Sequence, residues 1–442
     1  MNCISGSGAR SLPTLPPIER RWALIFALIA VTACGVETSE SADRPTKLEY
    51  VAHYSLAVDP ANSSVDISLE IRQSQHLLRE LRFPMLSDQF EDFQGDGELQ
   101  IGDGTLRWLV PTNGGTLHWR ARVNHQRGQQ DAYDAWLGPE WGIFRAEDII
   151  PRARTRSMEG STSNTTFSFD LPTGWSAVTE YSSKQDPIPV KRIDRRFDQP
   201  TGWMALGEIG VRRETIAGVS VAIAGPEGHG VRRLDMLALL NWTLPELVEL
   251  LPDPPARLTI VSAGYPMWRG GLSAPASLYV HSDRPLISEN ATSTLLHEIL
   301  HAALSIKAGE GFDWIVEGLA EYYSIELLRR GRAISATRHT AAIAGQAEWA
   351  KKSEGLCGKH STGATTALAV TVFRALNLEL IDKTSGASDL DDLLRQVVTI
   401  HAPVDLATLS KIASEIIGEP SDALHIDNLP GCSRIMTRNQ GG

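Results

Sequence analysis

The stretch His297-Glu298-Ile299-Leu300-His301 does most to decide how this chain folds. Apolar residues on both sides of it recur three and four positions apart, which is the spacing of one face of a helix. Positions four apart on a helix lie on the same face, with Cβ atoms about 5–6 Å apart. His297 and His301 can therefore present two imidazoles to one metal ion, while Glu298 lies beside them to accept a proton. An apolar helix strengthens this interpretation, because two histidines and a glutamate are costly in a core without a partner.

A second apolar helix follows after a short loop and supplies a third ligand. Asp313 can cap it, and it contains Trp314-Ile315-Val316-Glu317-Gly318-Leu319-Ala320-Glu321-Tyr322-Tyr323. A short loop between two helices makes an antiparallel pair, which returns Glu317 towards the two histidines. Two histidines and one carboxylate leave the fourth position of a zinc ion open, as in catalytic sites. Glu321 lies one turn further on, where it either hydrogen-bonds a ligand histidine from behind or is a solvated helix charge.

The N-terminus has the pattern of a targeting signal. Arg20 and Arg21 precede twelve uncharged residues, which are too few for the ~20 that a membrane-spanning helix needs. A basic start followed by such a stretch is typical of a secretory signal peptide, here residues 1–33. Val31-Thr32-Ala33-Cys34 resembles the bacterial lipobox, which implies a lipid on Cys34; the alternative is a plain signal peptide with an incidental cysteine. Residues 34–46 are polar without an apolar period and read as a tether.

Export also bears on the other cysteines, because an oxidising compartment favours disulfides. Cys3 leaves with the signal and Cys34 would carry lipid, so Cys357 and Cys432 remain as natural partners. The rival interpretation makes Cys357 a thiol nucleophile, for which His360, three residues later, is the one supporting neighbour in sequence. We expect the disulfide.

The composition sets outer limits on size and partners. A chain of 442 residues with 42% hydrophobic and 21% charged residues is an ordinary globular sequence of two or three domains. Its net charge of −11 and its lack of a basic tract argue against nucleic-acid binding.

The two halves of the chain differ in periodicity. Residues 47–225 alternate apolar and polar positions, for example in 50–58 and 64–71, and predict an antiparallel β-sandwich. After about residue 228 the period becomes helical, with helices expected over 232–251, 292–308, 313–330, 334–349 and 364–376. Two strand-like segments, 258–261 and 277–280, precede most of these helices. The prediction is an α+β multidomain chain: a β-rich domain over 47–225, then a small sheet with a mostly helical zinc-binding domain over 226–435.

The zinc motif and the run from Trp314 to Tyr323 resemble the gluzincin metallopeptidases, specifically the aminopeptidase N and glycyl aminopeptidase families. In those families a β-rich domain precedes a thermolysin-like catalytic domain, and the resemblance implies the same here. Gly270-Gly271-Leu272 is similar to the segment that opens their substrate-facing edge strand. His360-Ser361-Thr362-Gly363-Ala364 is similar to their Tyr-x-Lys-Gly-Ala segment.

Two departures from the family pattern affect the expected activity. These aminopeptidases bind the substrate's free amino group with a glutamate on or near the edge strand, where this chain has Leu272-Ser273-Ala274. We therefore expect no strict requirement for a free N-terminus. The family's tyrosine that donates to the oxyanion is replaced by His360, and no tyrosine follows Tyr323. The resemblance implies that His360 is the donor, and the alternative is a surface histidine.

The resulting prediction is a zinc metallopeptidase anchored by lipid in a bacterial cell envelope, facing the periplasm or the exterior. One Zn2+ ion per chain would be held by His297, His301 and Glu317, with Glu298 as general base. A peptide or protein substrate would add along an edge strand near 277–279. The alternatives are a catalytically altered zinc- or peptide-binding module on a peptidase fold, and a hydrolase of non-peptide bonds such as an epoxide or a cell-wall amide.

Overall fold

The computed structural model describes residues 48–433, apart from 86–87, 129–130, 182–184 and 191–196. The predicted signal peptide, Cys34 and the tether therefore lie outside the described residues. Their assignments stay predictions.

The first half of the described chain is mostly β-structure, as its alternating pattern predicts. One short helix, α1 (Ala146–Ile149), interrupts it. Its strands β1 to β15 are, in chain order, Glu49–Asp59, Ser64–Arg72, Leu78–Pro84, Phe90–Gly95, Glu98–Gly102, Thr105–Leu109, Gly114–Arg122, His125–Gln126, Tyr133–Leu137, Trp141–Arg145, Arg154–Ser157, Thr162–Asp170, Ser176–Val178, Ile188–Val190 and Trp203–Gly207.

These strands form three sheets, with the orders β14-β12-β1-β2-β7-β4, β11-β3-β6-β5 and β13-β15-β10-β9-β8. The first two sheets contribute to one core, in which Trp108 and Trp119 are almost fully buried. The expectation of a wholly antiparallel sandwich is wrong at one pair, because β1 and β12 run parallel. About a hundred residues separate these strands in the chain, and a long connection of this kind permits the parallel pairing that a hairpin forbids.

The second half is built on a five-stranded sheet. Its strands β16 to β20 are Ile209–Ile216, Val219–Pro226, Arg257–Ala263, Gly271–Ala274 and Ser277–His281. The order β16-β17-β18-β20-β19 places β20 between two partners and leaves β19 at the edge. The expectation that 277–279 would form the free edge is therefore wrong. The short turn at Pro275 and Ala276 folds β19 back along the outer side of β20, so β19 takes the edge position.

Seven further helices follow the helical periodicity of the second half. Helices α2 to α8 are Arg233–Leu250, Thr294–Leu304, Asp313–Arg330, Ala336–Ala350, Ala364–Lys383, Leu390–Val397 and Leu406–Ile417. Helix α3 ends earlier than expected because Ser305 adopts a left-handed conformation with φ 50°. Helix α6 extends beyond the expected end at 376, and α2 continues through Pro245.

Within the described part of the chain, α6 is the one helix long and apolar enough to cross a membrane by length and composition. Its residues Phe373, Leu376 and Leu380 are fully buried in the core of the second half. Helix α6 packs against α4 and α5 there, while its residues Leu378 and Ile381 are exposed on the opposite side.

Candidate active site

Two adjacent helices, α3 and α4, position the residues of the zinc motif. Ser293 caps α3 by accepting a hydrogen bond from the Leu296 N–H at 3.3 Å. Helix α3 packs on β19 and β20 and on α4. Asp313 does not cap α4, because Phe312 holds the cap position. The Asp313 carboxylate instead accepts the Ser361 N–H at 2.7 Å and ties the segment before α6 to the start of α4.

The three expected ligands converge. The Nε2 atoms of His297 and His301 are 3.0 Å apart. One oxygen of Glu317 lies 3.3 Å from His297 Nε2, and the other lies 3.3 Å from His301 Nε2. Ligand atoms about 2.0–2.1 Å from a tetrahedral zinc ion would be separated by about 3.3 Å. The donor set and its spacing therefore fit a zinc ion.

The electrostatics of this cluster favour a positive charge between its side chains. Burial opposes protonation of His297, yet hydrogen bonds with Glu317 and Glu321 raise its pKa to about 10. Burial likewise opposes ionisation of Glu317, yet hydrogen bonds with His297 and His301 lower its pKa to about 2. A divalent metal ion would satisfy the same preference for positive charge.

Glu298 occupies the narrow space between α3 and the edge strand β19. Its side chain is buried, and this burial raises the pKa of the carboxyl group. A Cβ atom at Gly271 would lie 2.6 Å from Glu298 Cγ and 2.8 Å from Thr294 Cγ2. Only glycine at position 271 lets the helix approach the strand this closely, which places the general-base candidate at the open edge of the sheet.

Glu321 and Gln346 form a series of hydrogen bonds that ends on His297 Nδ1. Glu321 Oε2 lies 3.0 Å from His297 Nδ1, and donation from Nδ1 to this carboxylate orients Nε2 towards His301 and Glu317 as the ligand atom. Gln346, on α5, donates from Nε2 to Glu321 Oε1 at 3.2 Å. The sequence singles out Glu321 by its helical spacing, but it carries no signal for Gln346, which lies 25 positions further along.

These side chains open into a cavity of about 370 Å³. The residues that line it on the side of the sheet are Trp268, Gly270, Gly271 and Arg284. Of these, only the two glycines stood out in the sequence. Ser361 and Thr362 line it from the segment before α6. Their neighbour His360 is exposed, and it is not one of the described residues that line the cavity.

The disulfide expectation is confirmed. Cys357 and Cys432 are bonded, with Cα atoms 4.8 Å apart. The bond ties the segment before α6 to the C-terminal end of the described chain, so Cys357 is a structural residue and not a free nucleophile.

Solved structures of known proteins share this architecture. An aminopeptidase N family protein from Idiomarina loihiensis superposes with a TM-score of 0.58 at 14% identity, covering 87% of this chain and 75% of that one. The M1 zinc metallopeptidase from Deinococcus radiodurans superposes with a TM-score of 0.55 at 14% identity, covering 85% of this chain and 91% of that one. The chain has the fold of these zinc metallopeptidases.

At this level of identity the likeness concerns the fold alone. A point mutant of the Deinococcus enzyme gives the same result, with a TM-score of 0.54 at 14% identity over 85% of this chain and 91% of that one. Searches with family models and against curated protein sequences find no match. The shared fold supports a mixed α/β architecture. The described residues form several sheets and eight α-helices.

Proposed function

We propose that this chain is a zinc-dependent metallopeptidase of the M1 aminopeptidase-like kind. The observation that carries the proposal is the convergence of His297, His301 and Glu317 at 3.0–3.3 Å, with Glu298 beside them at an open sheet edge. Zinc supplies Lewis acidity and lowers the pKa of water. Fold likeness to zinc metallopeptidases supports the same activity.

The residues of this chain would bind and orient the peptide as follows. The His281 N–H donates to the Gly270 carbonyl at 2.9 Å, so hydrogen-bonded pairs alternate along β19 and the backbone groups of Gly271 and Ser273 point away from β20. An extended peptide can pair with these free groups as an added strand. Its scissile carbonyl would then pass Glu298, whose carboxylate takes a proton from the attacking water and returns it to the leaving amine.

Zinc content tests this proposal directly. The purified full-length chain should hold one zinc ion per molecule, and Glu317→Ala should weaken that binding. Glu298→Gln should keep the zinc and lose hydrolysis of a mixed peptide library, by about a thousandfold, because the ligands remain while the base is gone. A folded wild-type chain that retains no zinc would refute the proposal.

A second candidate function is a zinc- or peptide-binding module without catalysis. It is favoured by two features: the edge strand has no carboxylate at Leu272-Ser273-Ala274, and His360 is exposed outside the cavity lining. One zinc per chain with no cleavage of any library peptide would favour this candidate. Cleavage that falls about a hundredfold in His360→Ala would instead support the donor role of His360.

The missing edge carboxylate also bears on substrate choice. Without an anchor for a free amino group, we propose that N-terminally blocked peptides are cleaved as well as free ones. A blocked and an unblocked version of one cleaved peptide provide the test. A strong preference for the free amine would contradict it.

We further propose that the chain is a lipoprotein of a bacterial cell envelope, anchored through Cys34. This rests on the lipobox-like residues before Cys34. Cys34→Ser should shift the protein from the membrane fraction to the aqueous fraction of cells that express it. Unchanged fractionation would count against the anchor.

A further inference from the structure

We propose that Arg284 recognises a carboxylate of the substrate close to the bond that is cleaved. The inference rests on the proposed peptidase function and specifies the substrate class of that same site. It follows from where Arg284 is held, from the charges around it and from its relation to Glu298.

Arg284 lies in the connection between β20 and α3 and lines the catalytic cavity. Its backbone is fixed on both sides, because its N–H donates to the His281 carbonyl at 3.0 Å and its carbonyl accepts from the Arg232 guanidinium at 2.7 Å. Its side chain is steered by Thr294, whose hydroxyl accepts from Arg284 Nε at 3.2 Å. One hydrogen bond therefore links the guanidinium to the first turn of α3, beside the cavity.

The charge of Arg284 is not balanced by a carboxylate of the protein. Arg284 is the one arginine or lysine among the described residues that line this cavity. In the described part of the chain, no carboxylate of Asp or Glu lies within 4.0 Å of its guanidinium nitrogens. The adjacent carboxylate of Asp283 lies instead near His281, 3.9 Å from Nδ1. The side chain is exposed, so its two terminal nitrogens can donate to both oxygens of a carboxylate from a ligand.

The position of Arg284 limits where this carboxylate can lie. Thr294, which holds the guanidinium, precedes Glu298 by four positions, and both side chains approach the Cβ position of Gly271. One helical turn covers about 5.4 Å, and an extended peptide advances about 3.3 Å per residue. The carboxylate should therefore belong to a residue within about two positions of the cleaved bond.

Two sources of carboxylate fit this geometry: an Asp or Glu side chain, and the α-carboxylate of a short peptide's C-terminus. Four zinc-loaded full-length variants separate these sources in a binding experiment. All carry Glu298→Gln so that no peptide is cleaved, and three of them add Arg284→Gln, Arg284→Lys or Arg269→Gln. Arg269 is the matched control, because it is an exposed arginine near the cavity that does not line it.

Dissociation constants are measured for two peptide pairs. One pair differs by Glu against Gln at an internal position, and the other by a C-terminal carboxylate against an amide. In the parent variant, the charged member of at least one pair should bind about tenfold more tightly, and that pair identifies the source. The ratio should fall to about one in Arg284→Gln, keep an intermediate value in Arg284→Lys and stay unchanged in Arg269→Gln.

A ratio near one for both pairs in the parent variant would overturn the inference. So would a ratio that survives Arg284→Gln in a variant with an unchanged unfolding temperature. Hydrolysis by the wild-type chain separates the two proposals. Carboxylate selectivity in binding without any cleavage would contradict the peptidase function and support Arg284 as the recognition residue.

Discussion

Replacing Gly271 with alanine tests the close approach of α3 to the edge strand. The added Cβ would lie 2.6 Å from Glu298 Cγ, 2.8 Å from Thr294 Cγ2 and 2.9 Å from Glu298 Oε1. Carbon atoms in contact prefer about 3.5–4.0 Å, so relief requires a shift of the order of 1 Å. Neither Cγ atom is the far end of a long flexible side chain, so either Glu298 turns away or the helix moves off the strand.

We expect an overpacking cost of about 1–3 kcal/mol in the free energy of unfolding. Hydrolysis should suffer as well, because a displacement of about 1 Å in a catalytic group can lower the rate ~100-fold, or about 2.7 kcal/mol. Zinc content should stay near the wild-type value, since the clash does not touch a ligand atom. Chemical denaturation, kcat/KM on a library-derived peptide and zinc analysis measure the three quantities.

Gly102→Ala is the matched control, because a Cβ atom at that position meets no atom within 4 Å. It should leave both stability and hydrolysis nearly unchanged. If Gly271→Ala behaved like this control, Glu298 would not be held against β19 and the assignment of the edge strand to substrate binding would fail.

Three further predictions concern the side chains behind the proposed zinc site and the stability of the fold. Gln346→Leu removes the hydrogen bond to Glu321 and should weaken zinc binding about tenfold without unfolding the chain; unchanged competition with a chelator would contradict this. Replacing both Cys357 and Cys432 by serine opens a loop with a sequence separation of 75. The free energy of unfolding, measured by denaturant under oxidising conditions, should fall by up to about 4 kcal/mol. An unchanged free energy of unfolding would refute this prediction. Hydrogen bonds from arginines, Arg107 foremost, lower the pKa of the buried Glu80 to about 2. Its contribution should thus be present at neutral pH and lost as pH falls towards 2, so Glu80→Gln should cost about 2 kcal/mol at pH 7 and little near pH 2, and a pH-independent difference would exclude this cause.

Local sequence patterns are sufficient to predict that His297, His301 and Glu317 form one cluster. His297 and His301 meet because a helix repeats every 3.6 residues, and Glu317 returns to them because the loop between α3 and α4 is short. Glu321 was found by the same local rule, one turn beyond Glu317. Local periodicity also placed most strands and helices, since each needs only its own alternation of apolar residues.

The surroundings of that cluster depend on long-range contacts of the folded chain. The parallel pairing of β1 with β12 and the edge position of β19 depend on which distant segments pair, and alternation within a segment carries no information about its neighbours. Gln346 and Arg284 reach the site from α5 and from a loop, so no spacing relative to His297 could reveal them. Helix and strand patterns follow from contacts a few residues apart, whereas the cavity depends on contacts that only the folded chain brings together.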